Sequence, residues 1–151
     1  VTLVSAMDVP GREDVSLKYF DIICINRYFG WYVYQGRINE GVEALSENLD
    51  YVFHKYNKPV LVTEFGADAI AGFHYDPPVM FSEEYQKELI KNYIEVIESK
   101  DYTIGAHVWA FADFKTQEVI IRPILNHKGV FTRTRQPKMA ANYLKSIWSK
   151  K

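Results

Sequence analysis

The sequence contains a single cysteine, Cys24, and this scarcity excludes two kinds of site. One cysteine can form neither an intramolecular disulfide nor a cysteine-based zinc cluster. Because Cys24 lies in an apolar run, we expect a buried, unreactive thiol. The sequence also lacks a large excess of either positive or negative residues. The formal net charge is −1 at pH 7, so charge indicates neither nucleic acid nor an anionic membrane as a partner.

Long apolar runs are also absent, and no stretch approaches the roughly 20 residues of a transmembrane helix. The first residues, VTLVSAMDVPG, lack the basic segment that opens a secretory signal. They are typical of a strand already in progress, which predicts that the chain is a fragment of a longer protein. The single cysteine and the missing signal favour a cytoplasmic location.

The residues that are present predict an α/β fold, since apolar strand patterns alternate with amphipathic helical patterns. The predicted strands are 1–7 (ended by Pro10-Gly11), 21–31, 60–65 and 103–113. The predicted helices are a weak one near 13–20, one at 41–56, one from Ser82 and one from Pro137. The helix from Ser82 is predicted to bury Leu89, Ile90, Tyr93, Ile94 and Ile97, and the last helix to pack Ala140, Leu144, Ile147 and Trp148. Near-continuous apolar strands in this order indicate a parallel sheet buried on both faces.

Two architectures fit this order, an open doubly wound sheet and part of a TIM barrel. No glycine-rich phosphate-binding loop follows any strand, which disfavours the nucleotide-binding form of the first. In both architectures, the catalytic and ligand-binding residues lie just past the carboxyl ends of the strands. The candidates at these ends are Asn26, Tyr28, Glu64, Trp109 and Asp113.

Glu64 follows a buried-looking strand in the segment LVTEFGADAIAG, and two interpretations fit it equally. It is either a nucleophile or general base, or a glutamate that caps a loop or pairs with an arginine. A single carboxylate is also insufficient for ordinary glycoside hydrolysis, which needs a second one to protonate the leaving oxygen.

The other candidates differ in how strongly they indicate function. Asn26 and Tyr28 are polar groups at the end of an apolar strand, which favours a functional role. Trp109 is suited to be a floor on which a sugar ring stacks, whereas Asp113 is suited to orient a loop. Residues 126–129, Asn-His-Lys-Gly, have the composition of a turn. Taken alone, Lys128 is predicted to be a solvated surface lysine, and Arg122 stays ambiguous.

Four segments, INRYFGWY, TEFGAD, WAFADF and NHKGVFTRTRQPK, resemble in order the matching motifs of the β-glucuronidases of glycoside hydrolase family 2. The resemblance covers nearly the whole chain, and it includes the spacing from Trp109 through Arg122 to Asn126 and Lys128. It implies a TIM barrel and a retaining exo-glycosidase that acts on β-glucuronides without a cofactor or metal. β-Galactosidase or β-mannosidase activity of the same family, and a non-catalytic carbohydrate-binding fragment, remain as alternatives.

The resemblance also implies roles for single residues. Glu64 matches the nucleophile, Trp109 the tryptophan beneath the sugar, and Tyr32 a further tyrosine that lines the site. Asn26 and Tyr28 match residues near the nucleophile and the sugar. Asn126 and Lys128 match the pair associated with recognition of the glucuronate carboxylate, with Arg122 nearby. A cation and amide donors suit that role, because a carboxylate substrate is repelled by an anionic glutamate.

The chain departs from the family pattern at the general acid/base, a glutamate in an Asn-Glu pair after a strand. The only Asn-Glu here is Asn39-Glu40, predicted to lie in a loop before a helix. We therefore expect residues 1–151 to be the carboxyl-terminal half of the barrel, strands five to eight, without its first half or the amino-terminal β domains. The fragment alone is expected to be inactive and to require the missing part of its own chain. The full protein is expected to be a homo-oligomer without nucleic acid or membrane partners.

Overall fold

A computed structural model describes residues 1–6, 14–120, 122 and 124–149. The chain divides into two compact units. The sheet unit consists of Val1–Phe65 and Asn92–Val108, and the loop unit of Gly66–Lys91 and Trp109–Lys151. Among the described residues, no helix has both the length and the apolar character needed to cross a membrane.

The sheet unit contains one parallel four-stranded sheet. Its strands are β1 (Val4–Ser5), β2 (Ile23–Asn26), β3 (Val60–Phe65) and β4 (Thr103–Val108). They lie in the order β1-β2-β3-β4, so each strand pairs with the next one in sequence. A doubly wound sheet reverses its strand order at a switch point, whereas consecutive barrel strands are neighbours. The order therefore favours a partial barrel over the open sheet.

Burial explains why the two central strands form. Ile23, Ile25, Val60 and Val62 have no exposed surface, and Cys24 is also buried, as the apolar run predicts. Each fully buried aliphatic side chain contributes about 1.5–3 kcal/mol. β-Branched residues also fit the pleated surface of a strand.

Helix α1 (Ile38–Tyr56) packs a stripe of apolar residues spaced at helical period, with Leu45, Leu49 and Val52 fully buried. It ends at Asn57, whose positive φ of 48° takes the left-handed conformation and whose backbone N–H donates to the Phe53 carbonyl. A short 3-10 helix (Leu17–Tyr19) lies between β1 and β2.

Helix α2 (Glu83–Glu98) begins where the sequence predicts it. The Ser82 hydroxyl accepts a hydrogen bond from the Tyr85 N–H (3.2 Å), and Glu83 and Glu84 lie at the positive end of the helix dipole. The predicted apolar stripe is buried: Leu89, Ile90, Tyr93, Ile94 and Ile97.

The loop unit contains β5 (Phe114–Lys115) paired antiparallel with β6 (Leu125–Asn126), and helix α3 (Met139–Trp148). Two-residue strands are too short to produce a sequence pattern, so neither was predicted. Helix α3 begins at Met139, two residues after Pro137. Trp148 is 48% exposed, so its predicted place on the packed face is wrong; the buried stripe ends one turn earlier at Leu144.

Several predicted boundaries also differ from the structure. β2 ends at Asn26 rather than residue 31, and β4 at Val108 rather than residue 113, because the parallel pairing shifts register near both ends. Helix α1 begins at Ile38, which places Asn39-Glu40 in its first turn and not in a loop. The end of the first predicted strand, Pro10-Gly11, and the start of the weak helix lie outside the described residues.

Candidate active site

Glu64 is the next-to-last residue of β3, and a bulge in the sheet sets its position. Ile25 pairs with Val62, but Asn26 pairs with Glu64, so Thr63 is skipped. The extra residue interrupts the alternation of the strand, and such bulges re-aim side chains next to active sites. The Thr63 hydroxyl donates to the Asn26 side-chain oxygen (2.8 Å). Asn26 therefore presents its two Nδ2 hydrogens as donors.

The Glu64 carboxylate is half-buried and receives a hydrogen bond from the Tyr28 hydroxyl on Oε2 (2.9 Å). The Arg27 backbone N–H donates to the Glu64 carbonyl (2.8 Å), which fixes the main chain at the same point. Within the described residues, no lysine or arginine forms an ion pair with Glu64. The interpretation of Glu64 as half of a structural ion pair thus finds no support.

A cleft of about 740 Å³ lies over these groups within the sheet unit. Its lining includes Asn26, Tyr28, Tyr32 and Glu64. The Tyr28 and Tyr32 rings are 5.2 Å apart at a tilt of 57°, and Tyr32 is 37% exposed. Small-molecule sites typically enclose about 300–1,000 Å³, so the cleft has room for a sugar ring. The sheet unit thus brings together the four predicted residues that it contains.

Trp109 is the first residue after β4 and belongs to the loop unit. Its indole is 38% exposed, with the Phe114 ring edge-on at 6.0 Å. Gly66, which follows β3, has a φ of +152°, and a Cβ there would collide with the Trp109 carbonyl oxygen. The glycine of the TEFG segment is therefore required by the close approach of the Trp109 backbone.

Asn126 and Lys128 form a buried turn in the loop unit, 2% and 1% exposed. The Asn126 side-chain oxygen accepts a hydrogen bond from the Lys128 backbone N–H (3.0 Å). The Lys128 ammonium pairs with the equally buried Asp68. The prediction of a solvated surface lysine is therefore wrong, because a buried carboxylate compensates the charge.

The buried Gln86 side chain also holds residues 126–129 in place. The Gln86 amide donates to the Gly129 carbonyl (3.1 Å) and the Ala67 carbonyl (2.9 Å). Gly129 itself admits no side chain, since a Cβ there would collide with the backbone of Ala112 and Asp113. The turn is thus fixed by close backbone packing as well as by hydrogen bonds.

Lys138, at the start of α3, is a second buried cation in the loop unit. Its ammonium donates to the Ala69 carbonyl (2.6 Å), to Asp113 Oδ1 (2.8 Å) and to the His127 carbonyl (2.9 Å). Burial lowers the Lys138 pKa, and the Asp113 carboxylate opposes that shift. Asp113 thereby joins α3 to the loop that follows Trp109, in keeping with its interpretation as a loop-orienting residue.

Arg122 is half-buried, and its backbone N–H donates to the Val119 carbonyl (2.8 Å). In the described part of the chain, no cluster of three or more histidine, cysteine, aspartate or glutamate side chains could hold a metal ion.

The sequence of the chain matches a known family. The model of the glycosyl hydrolases family 2 TIM barrel domain matches residues 5–151. The chain belongs to glycosyl hydrolase family 2. Its four-stranded sheet is accordingly part of a TIM barrel.

Curated β-glucuronidases resemble the chain closely in sequence. It is 53% identical over 131 residues to the β-glucuronidase of Paenibacillus borealis, and 43% identical over 141 residues to that of Canis lupus familiaris. These matches cover 87% and 92% of this chain but only 22% of each relative. The chain therefore spans less than a quarter of the length of these relatives.

Solved family 2 structures agree with the fold. The β-D-glucuronidase of Dictyoglomus thermophilum superposes with a TM-score of 0.92 at 47% identity, covering 98% of this chain and 25% of that one. The Bifidobacterium dentium β-glucuronidase, solved with coumarin-3-O-glucuronide, superposes with a TM-score of 0.92 at 41% identity, covering 98% and 24%.

Sequence reasoning about this family 2 chain missed Asp68, Gln86 and Lys138, although Asp68 and Lys138 lie inside the quoted motifs. Polar residues in loops and on helices are ordinarily solvated, so composition gave no reason to bury these three. The one available signal was Asp68 between Ala67 and Ala69, since a lone acid among small apolar residues suits a buried position.

Proposed function

We propose that the protein carrying this chain hydrolyses β-D-glucuronides with retention of configuration, and that Glu64 is its nucleophile. The observation that carries the proposal is the Glu64 carboxylate at the carboxyl end of β3, held by Tyr28 in an open cleft. Catalytic groups of TIM barrels lie at this end of the strands. The β-glucuronidase relatives at 42–53% identity support the substrate class.

The proposed mechanism is a double displacement. A Glu64 oxygen attacks the anomeric carbon and forms a glycosyl ester, while a second carboxylic acid protonates the leaving oxygen. That acid then acts as a base towards water, which hydrolyses the ester and regenerates the Glu64 carboxylate. Because Tyr28 donates to Oε2, Oε1 is the oxygen suited to attack. The Tyr28 bond is strongest when Glu64 is charged, so it also stabilises the carboxylate as it departs from the sugar.

The acid/base is proposed to come from outside these 151 residues. No Asn-Glu pair follows a strand, and Asn39-Glu40 lies in the first turn of α1. The chain is accordingly proposed to be the carboxyl-terminal half of the catalytic barrel, inactive on its own, with the first half supplying the missing carboxyl group.

Asn126 and Lys128 are proposed to bind the substrate carboxylate, and Trp109 to stack beneath the sugar. A glucuronide brings a negative charge to a site that already contains a glutamate nucleophile, so a buried cation and amide donors must offset the repulsion. A neutral galactoside has no such requirement. Arg122, Asn26 and Tyr32 are proposed as further sugar-binding residues.

Replacement of Lys128 by alanine in the full-length protein tests the substrate assignment. We expect kcat/KM for an aryl β-glucuronide to fall about 10- to 150-fold, the worth of a hydrogen bond to a charged group. The kcat/KM for an aryl β-galactoside should change far less. Equal losses for both substrates would show that Lys128 does not recognise the carboxylate. Faster galactoside hydrolysis by the unmodified protein would favour the galactosidase alternative.

A further inference from the structure

Asp68 contacts two residues of the Asn126–Lys128 segment proposed to recognise the substrate carboxylate. Its Oδ1 accepts a hydrogen bond from the His127 backbone N–H (2.8 Å), and its Oδ2 accepts one from the Lys128 ammonium. Asp68 is 1% exposed, as is Lys128. One carboxylate therefore fixes both the main chain of the turn and the tip of its lysine.

We propose that Asp68 is a positioning residue that sets the specificity for a carboxylate-bearing sugar by holding the Lys128 ammonium in place. This inference rests on the proposed function, because it gives a physical basis to the role of Lys128 there. Asp68 itself touches no substrate in this proposal; it acts through Lys128 and through the turn that carries Asn126.

The charges explain why a carboxylate is needed at position 68. A buried ammonium without a counter-ion carries a large desolvation penalty, so without Asp68 the Lys128 side chain would turn towards solvent. The buried Asp68 carboxylate compensates that penalty and holds the Lys128 ammonium at one position.

The geometry makes Asp68→Asn a diagnostic change. The two oxygens of Asp68 meet two donors, the His127 N–H and the Lys128 ammonium. An asparagine of nearly the same shape offers one acceptor and one NH₂ group, so one donor must face another donor. The side chain volume is preserved, while the position of the ammonium is not.

Glu83 provides a matched control within the loop unit. It is 7% exposed, and its two oxygens accept hydrogen bonds from the Gly72 N–H (2.8 Å) and the Met139 N–H (2.7 Å). Glu83→Gln creates the same mismatch of donors at a buried carboxylate, but its two donors, Gly72 and Met139, lie outside the Asn126–Lys128 turn. An equal loss of substrate preference in Asp68→Asn and Glu83→Gln would therefore reflect damage to the loop unit and not the position of the Lys128 ammonium.

The test is steady-state kinetics of the full-length protein on an aryl β-glucuronide and an aryl β-glucoside, which differ only at C6. We expect Asp68→Asn to lower the glucuronide-to-glucoside ratio of kcat/KM by about tenfold or more, through KM, with glucuronide kcat within about threefold. Glu83→Gln should leave the ratio within about twofold. An unchanged ratio in Asp68→Asn, or an equal fall in Glu83→Gln, overturns the proposal.

A double-mutant cycle then tests whether Asp68 acts through Lys128. In a Lys128→Met background, adding Asp68→Asn should change the ratio by less than about threefold, because the group being positioned is already absent. Additive losses would contradict the proposal. If Asp68→Asn folds poorly, Asp68→Glu replaces it: the longer carboxylate keeps both acceptors but displaces the ammonium. It must lower the same ratio, and an unchanged ratio again overturns the proposal.

The unmodified protein separates failure of this inference from failure of the proposed function. If the unmodified protein hydrolyses the glucuronide and the glucoside with equal kcat/KM, both the substrate assignment and this inference are wrong. A clear glucuronide preference that survives Asp68→Asn would remove the inference alone.

Discussion

Tyr28 and Glu64 form the contact that most directly links single residues to chemistry. The phenol donates to one carboxylate oxygen at 2.9 Å, and the ring packs on Tyr32 at 5.2 Å. A hydrogen bond to a charged group is worth about 1.5–3 kcal/mol, and it also restricts the rotation of the carboxylate. Tyr28 therefore holds the proposed nucleophile in one orientation.

Tyr28→Phe should lower kcat/KM for an aryl β-glucuronide by about 10- to 150-fold, since it deletes this bond and keeps the ring. Tyr56→Phe is the matched control, because its hydroxyl donates to the Asp14 carbonyl (3.1 Å) away from the cleft. Steady-state kinetics of both variants in the full-length protein check this. Equal activity of the two variants would mean that Tyr28 has no part in the reaction.

The role or burial of a single residue can be predicted from sequence when the neighbouring residues indicate it. Glu64 is a candidate from sequence alone because a carboxylate at the end of an apolar strand is unusual. Lys128 was misjudged because its partner, Asp68, is 60 residues away in sequence, and a turn-like composition indicates exposure. The local pattern of a sequence does not show which distant residues pair, so the contact between Asp68 and Lys128 appears only in the structure.

At the scale of elements, the spacing of apolar residues predicted the main strands and helices well and their ends less well. The stripes of α1 and α2 are long enough to be read from period alone. β2 and β4 stop early because bulges and register shifts depend on the neighbouring strand, which sequence pattern does not include. β5 and β6 form through pairing of two short segments and had no local pattern.

Helix α3 is joined to the turn and to Asp113 by Lys138, which gives an element-scale prediction. Lys138→Met leaves Asp113 and two carbonyl groups buried without this donor, at a cost of about 3–5 kcal/mol for the broken ion pair. Lys145→Met on the same helix, at an exposed position, should change stability by no more than about 0.5 kcal/mol. Calorimetry of the full-length variants measures the unfolding midpoint. Similar midpoints for the two would contradict the role of Lys138.

At the scale of the whole molecule, the sheet unit has four parallel strands, whereas a TIM barrel has eight. Within the described ranges, β1 and β4 each pair with a strand on one side only, and Ile104 of β4 is 53% exposed. Unpaired strand edges and exposed aliphatic residues invite association with more chain. Relatives that are about four times longer have that additional chain. We therefore expect catalysis to need polypeptide beyond these 151 residues.

The most direct test of the central claim is covalent trapping of the nucleophile. A 2-deoxy-2-fluoro-β-D-glucuronosyl fluoride should label the full-length protein, and peptide mass spectrometry should place the adduct on Glu64. The 151-residue chain alone should neither be labelled nor hydrolyse an aryl β-glucuronide. An adduct on another carboxylate of the active full-length protein, or glucuronide turnover by the isolated chain at the full-length rate, would contradict the account.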